Sequence, residues 1–356
     1  MRNPVSFVPS PAATASFSTR VIRWQRSHGR HGLPWQGTRD AYRIWLSEVM
    51  LQQTQVATVL PYFERFVARF PTVRDLACAE EDDVLRLWSG LGYYARARNL
   101  HRAARAVLAT HGGSFPTTFD ELARLPGVGR STAAAIAAFA AGERRAILDG
   151  NVRRVVARHA GIGGDPGARE TLARLWAEAE ARLPADEIEA YTQGMMDLGA
   201  SLCARHKPSC LACPVSADCI ARLEDRVAEL PGARARKPRD HRRIAMLVVC
   251  CQGEVLLEKR PPAGIWGGLW SLPEAPAACL PESVAASRWA MRESTATPLA
   301  PFRHAFTHFT LEVVPWRIDV RSRSTLACEP GTTWLALDEV AAAALPSPVK
   351  KLLAAL

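Results

Sequence analysis

The spacing of apolar residues divides the chain into two regions with different periodicity. Over 18–223 the apolar residues form short amphipathic segments that Gly and Pro interrupt, a pattern typical of helices. Over 244–356 they form strand-like runs, such as IAMLVVCC at 244–251 and HFTLEVVPWRIDV at 308–320. The sequence therefore predicts a multidomain protein, with an all-α domain followed by an α+β domain.

Two segments lack either periodicity. Residues 1–17 are rich in Ser, Ala and Thr and predict a disordered tail. An organelle transit peptide is the alternative, because the first acidic residue of the chain is Asp40. Residues 224–243 contain the cationic stretch PGARARKPRDHRR, which predicts a solvated basic linker between the domains.

The composition is that of a globular protein without membrane spans, and its charge favours a polyanionic partner. The chain has 356 residues, of which 48% are hydrophobic and 22% charged, as in globular proteins. It has no apolar run of the roughly 18 to 20 residues that cross a bilayer, so no membrane partner is expected. Lys and Arg number 45 against 35 for Asp and Glu, and the net charge of +10 favours a polyanionic partner such as nucleic acid.

Four of the nine cysteines lie close together, which indicates a metal site. Cys203, Cys210, Cys213 and Cys219 have the spacing C-x6-C-x2-C-x5-C. Four thiolates can hold a tetrahedral zinc ion or an iron–sulfur cluster. The wide outer gaps favour the cluster without excluding zinc, because zinc sites usually pair two short knuckles.

A glycine-rich turn precedes an alanine-rich helix. In LPGVGRST at 125–132, the glycines permit a tight turn that directs backbone N–H groups outward at the start of that helix. Such a turn binds a phosphate of DNA without reading its sequence. An ordinary helix–helix turn is the alternative.

Two carboxylates stand in surroundings where acids are rare. Glu48 interrupts the apolar helix YRIWLSEVMLQQTQVATVL, where desolvation would raise its pKa and keep it protonated, as a general acid requires. Asp149 follows three apolar residues in AILDGNV and could be the N-cap of a helix. Each carboxylate alone has a structural interpretation, but together with the phosphate-binding turn they resemble an active-site pair.

These segments resemble the adenine DNA glycosylases of MutY type, in the helix-hairpin-helix superfamily. Six segments occur in the same order as in that family: LPWQ, WLSEVMLQQTQVATV, GLGYYARARNL, LPGVGRSTA, ILDGNV and the cysteine loop. The resemblance implies hydrolysis of the glycosidic bond of adenine mispaired with 8-oxoguanine or guanine in double-stranded DNA. It also implies that the four cysteines bind a [4Fe-4S] cluster.

The resemblance carries roles to individual residues. Glu48 matches the catalytic acid, and Asp149 matches the carboxylate that stabilises the sugar cation. The remaining implied contacts are with DNA: the wedge residues Gln53 and Tyr93, the hairpin residues Gly127, Val128, Gly129 and Ser131, and the lesion-probing loop Phe306, Thr307 and His308, where threonine replaces a frequent serine.

Two departures define the expected chemistry. Ser131 stands where lyases that resemble endonuclease III carry a nucleophilic lysine, so a monofunctional glycosylase is expected. The second domain resembles a Nudix domain whose pyrophosphatase box is incomplete after Gly268 and Glu274, so it should not hydrolyse nucleotides.

Phe306 and His308 also have a structural interpretation, in which they merely alternate along a strand.

Two other functions remain open from the sequence. One is a bifunctional glycosylase and lyase like endonuclease III, and the other is a non-catalytic iron–sulfur protein that binds DNA. The expected protein is a monomer located in the cytoplasm, with the nucleoid of a bacterium.

Overall fold

The computed structural model describes residues 15–233, 240–306 and 308–356. Its contacts divide the chain into two compact units, one within 1–77 and 102–236 and the other within 78–101 and 237–356. The helices are α1 (Phe17–His28), α2 (Ala41–Leu51), α3 (Val56–Arg69), α4 (Val73–Cys78), α5 (Glu81–Trp88), α6 (Ala95–His111), α7 (Phe119–Leu122), α8 (Arg130–Ala141), α9 (Gly150–His159), α10 (Arg169–Ala181), α11 (Ile188–Ala200), α12 (Ile220–Leu223), α13 (Pro281–Trp289) and α14 (Ser347–Leu353). The strands are β1 (Asp240–Cys251), β2 (Glu254–Lys259), β3 (Trp270–Ser271), β4 (Glu274–Pro276), β5 (Ser294–Pro298), β6 (Phe302–Ala305), β7 (Phe309–Val320) and β8 (Thr332–Ala336).

The first unit is helical, as the amphipathic pattern predicts. Its core lies between α1, α8, α9 and α11 and includes Val21, Val156 and Leu198, none of which is exposed. The alanines of α8 are almost all buried, and their small side chains let neighbouring helices approach closely. This packing fixes the N-terminal ends of α8 and α9, where the candidate residues lie.

The second unit contains one eight-stranded mixed sheet. Its strand order is β3-β2-β1-β7-β5, while β4, β6 and β8 pair with β1, β7 and β2. β1 and β7 run parallel over a long register from Asp240 against Phe309 to Cys250 against Asp319. The sheet and α13 confirm the predicted α+β class for this half of the chain.

The second unit also includes 78–101, which the sequence assigned to the helical domain. The reason is local contact: Asp82 pairs with Lys259, and Arg98 donates to the carbonyl of Gly267. Trp270 Nε1 donates to Asp82 Oδ2 at 3.2 Å. Helical periodicity alone cannot show which neighbour a helix packs against.

The ends of the predicted tail and linker also differ from the structure. Phe17 belongs to α1, whose N-cap is Ser16, and its ring packs edge-on against His159 at 4.5 Å. Leu230 is only 3% exposed and its carbonyl accepts a hydrogen bond from Arg158, so the first part of the predicted linker packs against the helices. Residues 1–14 and 234–239 lie outside the described residues. Within the described part of the chain, no helix is long and apolar enough to span a bilayer.

Candidate active site

A cavity of about 620 Å³ opens in the helical unit beside Glu48. Its walls come from α2, the segment 29–39, α8 and α11. The volume lies within the range of small-molecule sites, so a single purine base fits in it. The lining includes Arg30, His31, Gln36, Arg39, Glu48, Phe139, Glu189 and Gln193.

Glu48 is presented to this cavity by α2, a helix whose other residues are mostly buried. The helix begins at the N-cap Asp40, whose carboxylate accepts hydrogen bonds from the amides of Tyr42 and Arg43. Burial is the larger cause and the negative charge of Asp149 the smaller, and together they raise the pKa of Glu48 to about 8. The carboxyl group is therefore protonated near neutral pH, which is the state that a general acid needs.

Asp149 is the N-cap of α9, as one interpretation of its sequence suggested. Its Oδ1 accepts hydrogen bonds from the amides of Asn151 at 2.6 Å and Val152 at 2.9 Å. These two bonds satisfy amides at the start of α9 that have no acceptor within the helix. The capping role and the electrostatic role are therefore compatible, because one carboxylate both ends the loop and acts on Glu48.

Close packing fixes the start of α9 against α11. A side chain at Gly199 would meet the backbone of Asn151 at 2.8 Å, so only glycine permits this approach. Arg154 donates to the carbonyls of Gly199 at 2.6 Å and Cys203 at 2.7 Å. Asp149 is thus carried by a helix end with little freedom to move.

One wall of the cavity is polar and was not predicted from the sequence: it includes Arg30, Gln36 and Gln193, which Asp197 and the backbone of Arg30 hold in place. Asp197, 2% exposed, accepts hydrogen bonds from the backbone and Nε of Arg30, at 2.9 and 2.6 Å, and from Gln193 at 2.9 Å. Gln36 donates to the carbonyl of Arg30 at 3.1 Å. Asp197 could have been found by the argument that found Glu48, because it is a lone acid within the apolar run GMMDLGA.

The glycine-rich turn lies between α7 and α8, as predicted. Gly127 has φ 77°, a conformation that favours glycine. Val128 is 6% exposed and its amide donates to the carbonyl of Leu125, so this residue shapes the turn and its side chain is not available to DNA. Nothing lies within 4 Å of the position of a side chain at Gly129, and the first amides of α8 have no acceptor within the helix.

Ser131, which the sequence predicts as a DNA contact, also has a hydrogen bond within the protein. Its Oγ accepts a hydrogen bond from the amide of Leu148 at 2.9 Å, which ties α8 to the segment before Asp149. The hydroxyl is thus engaged inside the protein. Sequence could not reveal this contact, because it joins residues that are 17 positions apart.

Both predicted wedge residues have unusual backbone conformations. Gln53 has φ 58° and Tyr93 has φ 47°, values that residues other than glycine seldom adopt. Both side chains are exposed, and that of Tyr93 is 52% accessible. Such backbone occurs at helix ends and turns as well as at functional sites, so it does not by itself assign the wedge role. The two residues belong to different units.

The four predicted metal ligands line one small cavity of about 30 Å³. Burial raises the pKa of Cys213 to about 11 and also raises that of Cys219, and the other thiols of the set act in the same direction. The guanidinium of Arg158 lies 3.4 Å from the Cys203 sulfur. Four soft donors at one partly buried site fit an iron–sulfur cluster, whose iron would keep them as thiolates. Among the described residues, no three His, Cys, Asp or Glu side chains are already arranged to hold a single metal ion.

Two of the predicted lesion-probing residues, Phe306 and His308, lie in the turn between β6 and β7. The amide of Phe306 donates to the carbonyl of Phe309 at 2.9 Å. The Phe306 ring packs against Trp266, His304 and Phe309, with centroid distances of 4.6 to 5.4 Å, while His308 is exposed. The two residues therefore do not alternate along a strand. Thr307 lies outside the described residues.

The incomplete Nudix box carries arginine pairs in the structure. Glu274 pairs with Arg260, and Arg288 on α13 pairs with Glu258. The positions that would supply further carboxylates are Ser283, Ala286 and Ser287, which cannot bind magnesium as carboxylates do. The absence of nucleotide hydrolysis stays a prediction.

Two family models match the chain, one in each half. Residues 46–181 match the helix-hairpin-helix superfamily of base excision DNA repair proteins, and residues 244–355 match the NUDIX domain. A solved thymine-DNA glycosylase is 28% identical with a TM-score of 0.53, covering 58% of this chain and 95% of its own. A structure of endonuclease III with DNA, at 21% identity and a TM-score of 0.50, covers 58% of this chain and 94% of its own and shares the helical fold.

Relatives match nearly the full length. The adenine DNA glycosylase of Buchnera aphidicola (from Acyrthosiphon pisum) is 35% identical over 95% of this chain and 96% of its own length. The human adenine DNA glycosylase is 32% identical over 96% of this chain and 74% of its own length. The predicted family is confirmed: the chain belongs to the adenine DNA glycosylases, base excision repair enzymes that join a helix-hairpin-helix domain to a Nudix domain.

Proposed function

We propose that this protein is a monofunctional, adenine-specific DNA N-glycosylase that hydrolyses the glycosidic bond of adenine mispaired with 8-oxoguanine or guanine in duplex DNA. The observation that carries the proposal is the pairing of a protonated acid with an ionised carboxylate. Glu48 faces a cavity of about 620 Å³ with its pKa raised to about 8, and Asp149 lies near enough to contribute to that shift. Two carboxyl groups with different protonation states divide acid and electrostatic roles.

The chemistry follows from these two states. Glu48 donates its proton to N7 of the extruded adenine, so the base leaves as a neutral molecule rather than as an anion. The electron pair of the glycosidic bond leaves with the base. The sugar becomes an oxocarbenium ion, which the negative charge of Asp149 stabilises. Glu48, now ionised, accepts a proton from the water that attacks C1′. The products are free adenine and an abasic site.

The DNA is held by separate elements. The first-turn amides of α8 beside Gly129 bind a backbone phosphate without reading sequence. Gln53 and Tyr93 enter the base stack when the adenine leaves it. The turn with Phe306, Thr307 and His308 probes the opposite base, with His308 as the exposed donor or acceptor. The substrate is thus double-stranded DNA that contains the mispair.

A [4Fe-4S] cluster would be held by Cys203, Cys210, Cys213 and Cys219, and it would supply iron–thiolate links that stabilise this loop. Arg158 and Arg154 bind the loop to α9 through Ala204 and Cys203, so the loop has an independent attachment to the helix that begins at Asp149. We place the protein, as a monomer, with the chromosome in the cytoplasm.

The test is single-turnover release of adenine from a duplex with adenine opposite 8-oxoguanine. Duplexes with adenine opposite guanine, adenine opposite thymine, and an oxidised pyrimidine serve as comparisons. We expect free adenine from the two mispairs, with strand nicks only after alkali. Nicking without alkali, with an adduct trapped by borohydride, would instead support the bifunctional alternative. Duplex binding without base release would support the non-catalytic one.

A further inference from the structure

The hydroxyl of Ser131 lies between the predicted phosphate-binding turn and the active-site carboxylate. Ser131 belongs to the first turn of α8, and its Oγ accepts the hydrogen bond from the Leu148 amide at 2.9 Å. Leu148 is 2% exposed, so water cannot easily replace this acceptor. Because Asp149 is the next residue, the bond fixes the peptide that leads directly into the carboxylate.

The neighbouring residue contacts the other side of the site. Thr132 Oγ1 accepts a hydrogen bond from Gln52 Nε2 at 3.4 Å, and Gln52 directly follows α2, the helix that carries Glu48. Consecutive residues of one helical turn therefore contact the segments of both carboxylates. The contact of Ser131 is the shorter of the two, and it ends on backbone rather than on a mobile side chain.

We propose that Ser131 is a positioning residue, whose hydroxyl holds Asp149 at the place where it acts on Glu48 and on the sugar cation. The proposal rests on the proposed function. It gives serine at this position a role of its own, beyond the absence of a lysine nucleophile. The amides of the same turn bind the DNA phosphate. The binding of DNA and the position of Asp149 therefore both depend on the first turn of α8.

The test compares Ser131→Ala with Ser131→Thr, which keeps the hydroxyl. We expect the single-turnover rate of adenine release to fall about tenfold in the alanine variant, since small misplacements of catalytic groups slow reactions by this order or more. The affinity for duplex should stay unchanged, because the first-turn amides remain. The threonine variant should recover most of the rate.

The pH profile separates positioning from general destabilisation. The charge of Asp149 helps to raise the pKa of Glu48, so its displacement should move the alkaline limb of the profile to lower pH in Ser131→Ala. The other ionisable groups that line the cavity are unaltered in this variant: Arg30, His31, Arg39 and Glu189.

A matched control removes a hydroxyl acceptor from another helix start. Thr72 Oγ1 accepts the hydrogen bond from the Asp75 amide at 3.2 Å, at the beginning of α4. Thr72→Ala should lower stability and leave both the rate and the pH profile unchanged.

Each outcome decides the proposal. If Ser131→Ala keeps the rate and profile of an active wild type, or if Ser131→Thr loses as much rate as the alanine variant, the proposal is overturned and the proposed function stands. If the alanine variant does not fold, the threonine variant alone decides. A wild type that releases no adenine overturns the proposed function, and this proposal with it.

Discussion

Replacing Glu48 by Gln should make the helical unit more stable while it removes activity. In the folded protein the pKa of Glu48 is raised from an ordinary 4.5 to about 8, chiefly by burial. The folded state therefore binds this proton more tightly than the unfolded state does. Stability is unaffected below about pH 4.5, is lost progressively as the pH rises toward 8, and stays constant above that value.

The size of the effect follows from the two pKa values. Each pH unit between them corresponds to about 1.4 kcal/mol, so at pH 7 the upper bound is roughly 3 kcal/mol. The side chain is partly accessible from the cavity, and local relaxation reduces this figure. We expect Glu48→Gln to gain about 1 to 3 kcal/mol at pH 7, which is a rise in Tm of roughly 3 to 10 °C for a unit of this size.

The assay is thermal unfolding of wild type and Glu48→Gln across pH 5 to 9. Burial of the new amide adds an offset that does not vary with pH, so the informative quantity is the slope of the Tm difference. The matched control is Glu189→Gln, because Glu189 lines the same cavity but has a side chain that is 42% exposed and paired with Arg39. That control should change stability by less than about 1 kcal/mol. A Tm difference between wild type and Glu48→Gln that is constant with pH would refute the argument that Glu48 is protonated in the folded state.

Three further predictions concern the rest of the site. Asp149→Asn and Asp149→Ala should both abolish adenine release. Only the alanine variant should also lose about 1 kcal/mol of the free energy of unfolding in urea, because asparagine can still cap α9. Equal stability of the two variants would contradict the capping geometry. Cys213→Ser should reduce bound iron and lower the Tm, and an unchanged iron content on metal analysis would exclude Cys213 as a ligand. His308→Ala should reduce the preference for 8-oxoguanine over guanine in competition binding, while release from the adenine–guanine mispair persists; an unchanged preference would remove His308 from lesion recognition.

Local patterns predicted much of this molecule because the relevant physics is local. An acid inside an apolar helix must be used or paired, and that argument identified Glu48 from the sequence alone. An aspartate before Gly-Asn at a helix start is an N-cap, and Asp149 is one. The periodicities of the two halves likewise predicted the helical fold and the sheet.

Contacts between distant segments were not predictable in the same way. The hydroxyl of Ser131 and the amide of Leu148 meet only because α8 and the segment that leads into α9 pack into the same core. The loop that contains Arg30 has no hydrophobic periodicity. Nothing in the sequence around Arg30 therefore predicts its hydrogen bonds to Asp197. The placement of 78–101 with the sheet depends on single contacts such as Asp82 with Lys259.

If protonated Glu48 starts base release, a glutamine at this position must stop it. The single-turnover rate of Glu48→Gln on adenine opposite 8-oxoguanine is compared with that of wild type at pH 7, with the duplex Kd measured on the same preparations. We predict a loss of at least about 1,000-fold in rate, within the range that removal of a general acid produces, at an unchanged Kd. Release at the wild-type rate by a variant that cannot donate this proton would contradict the account.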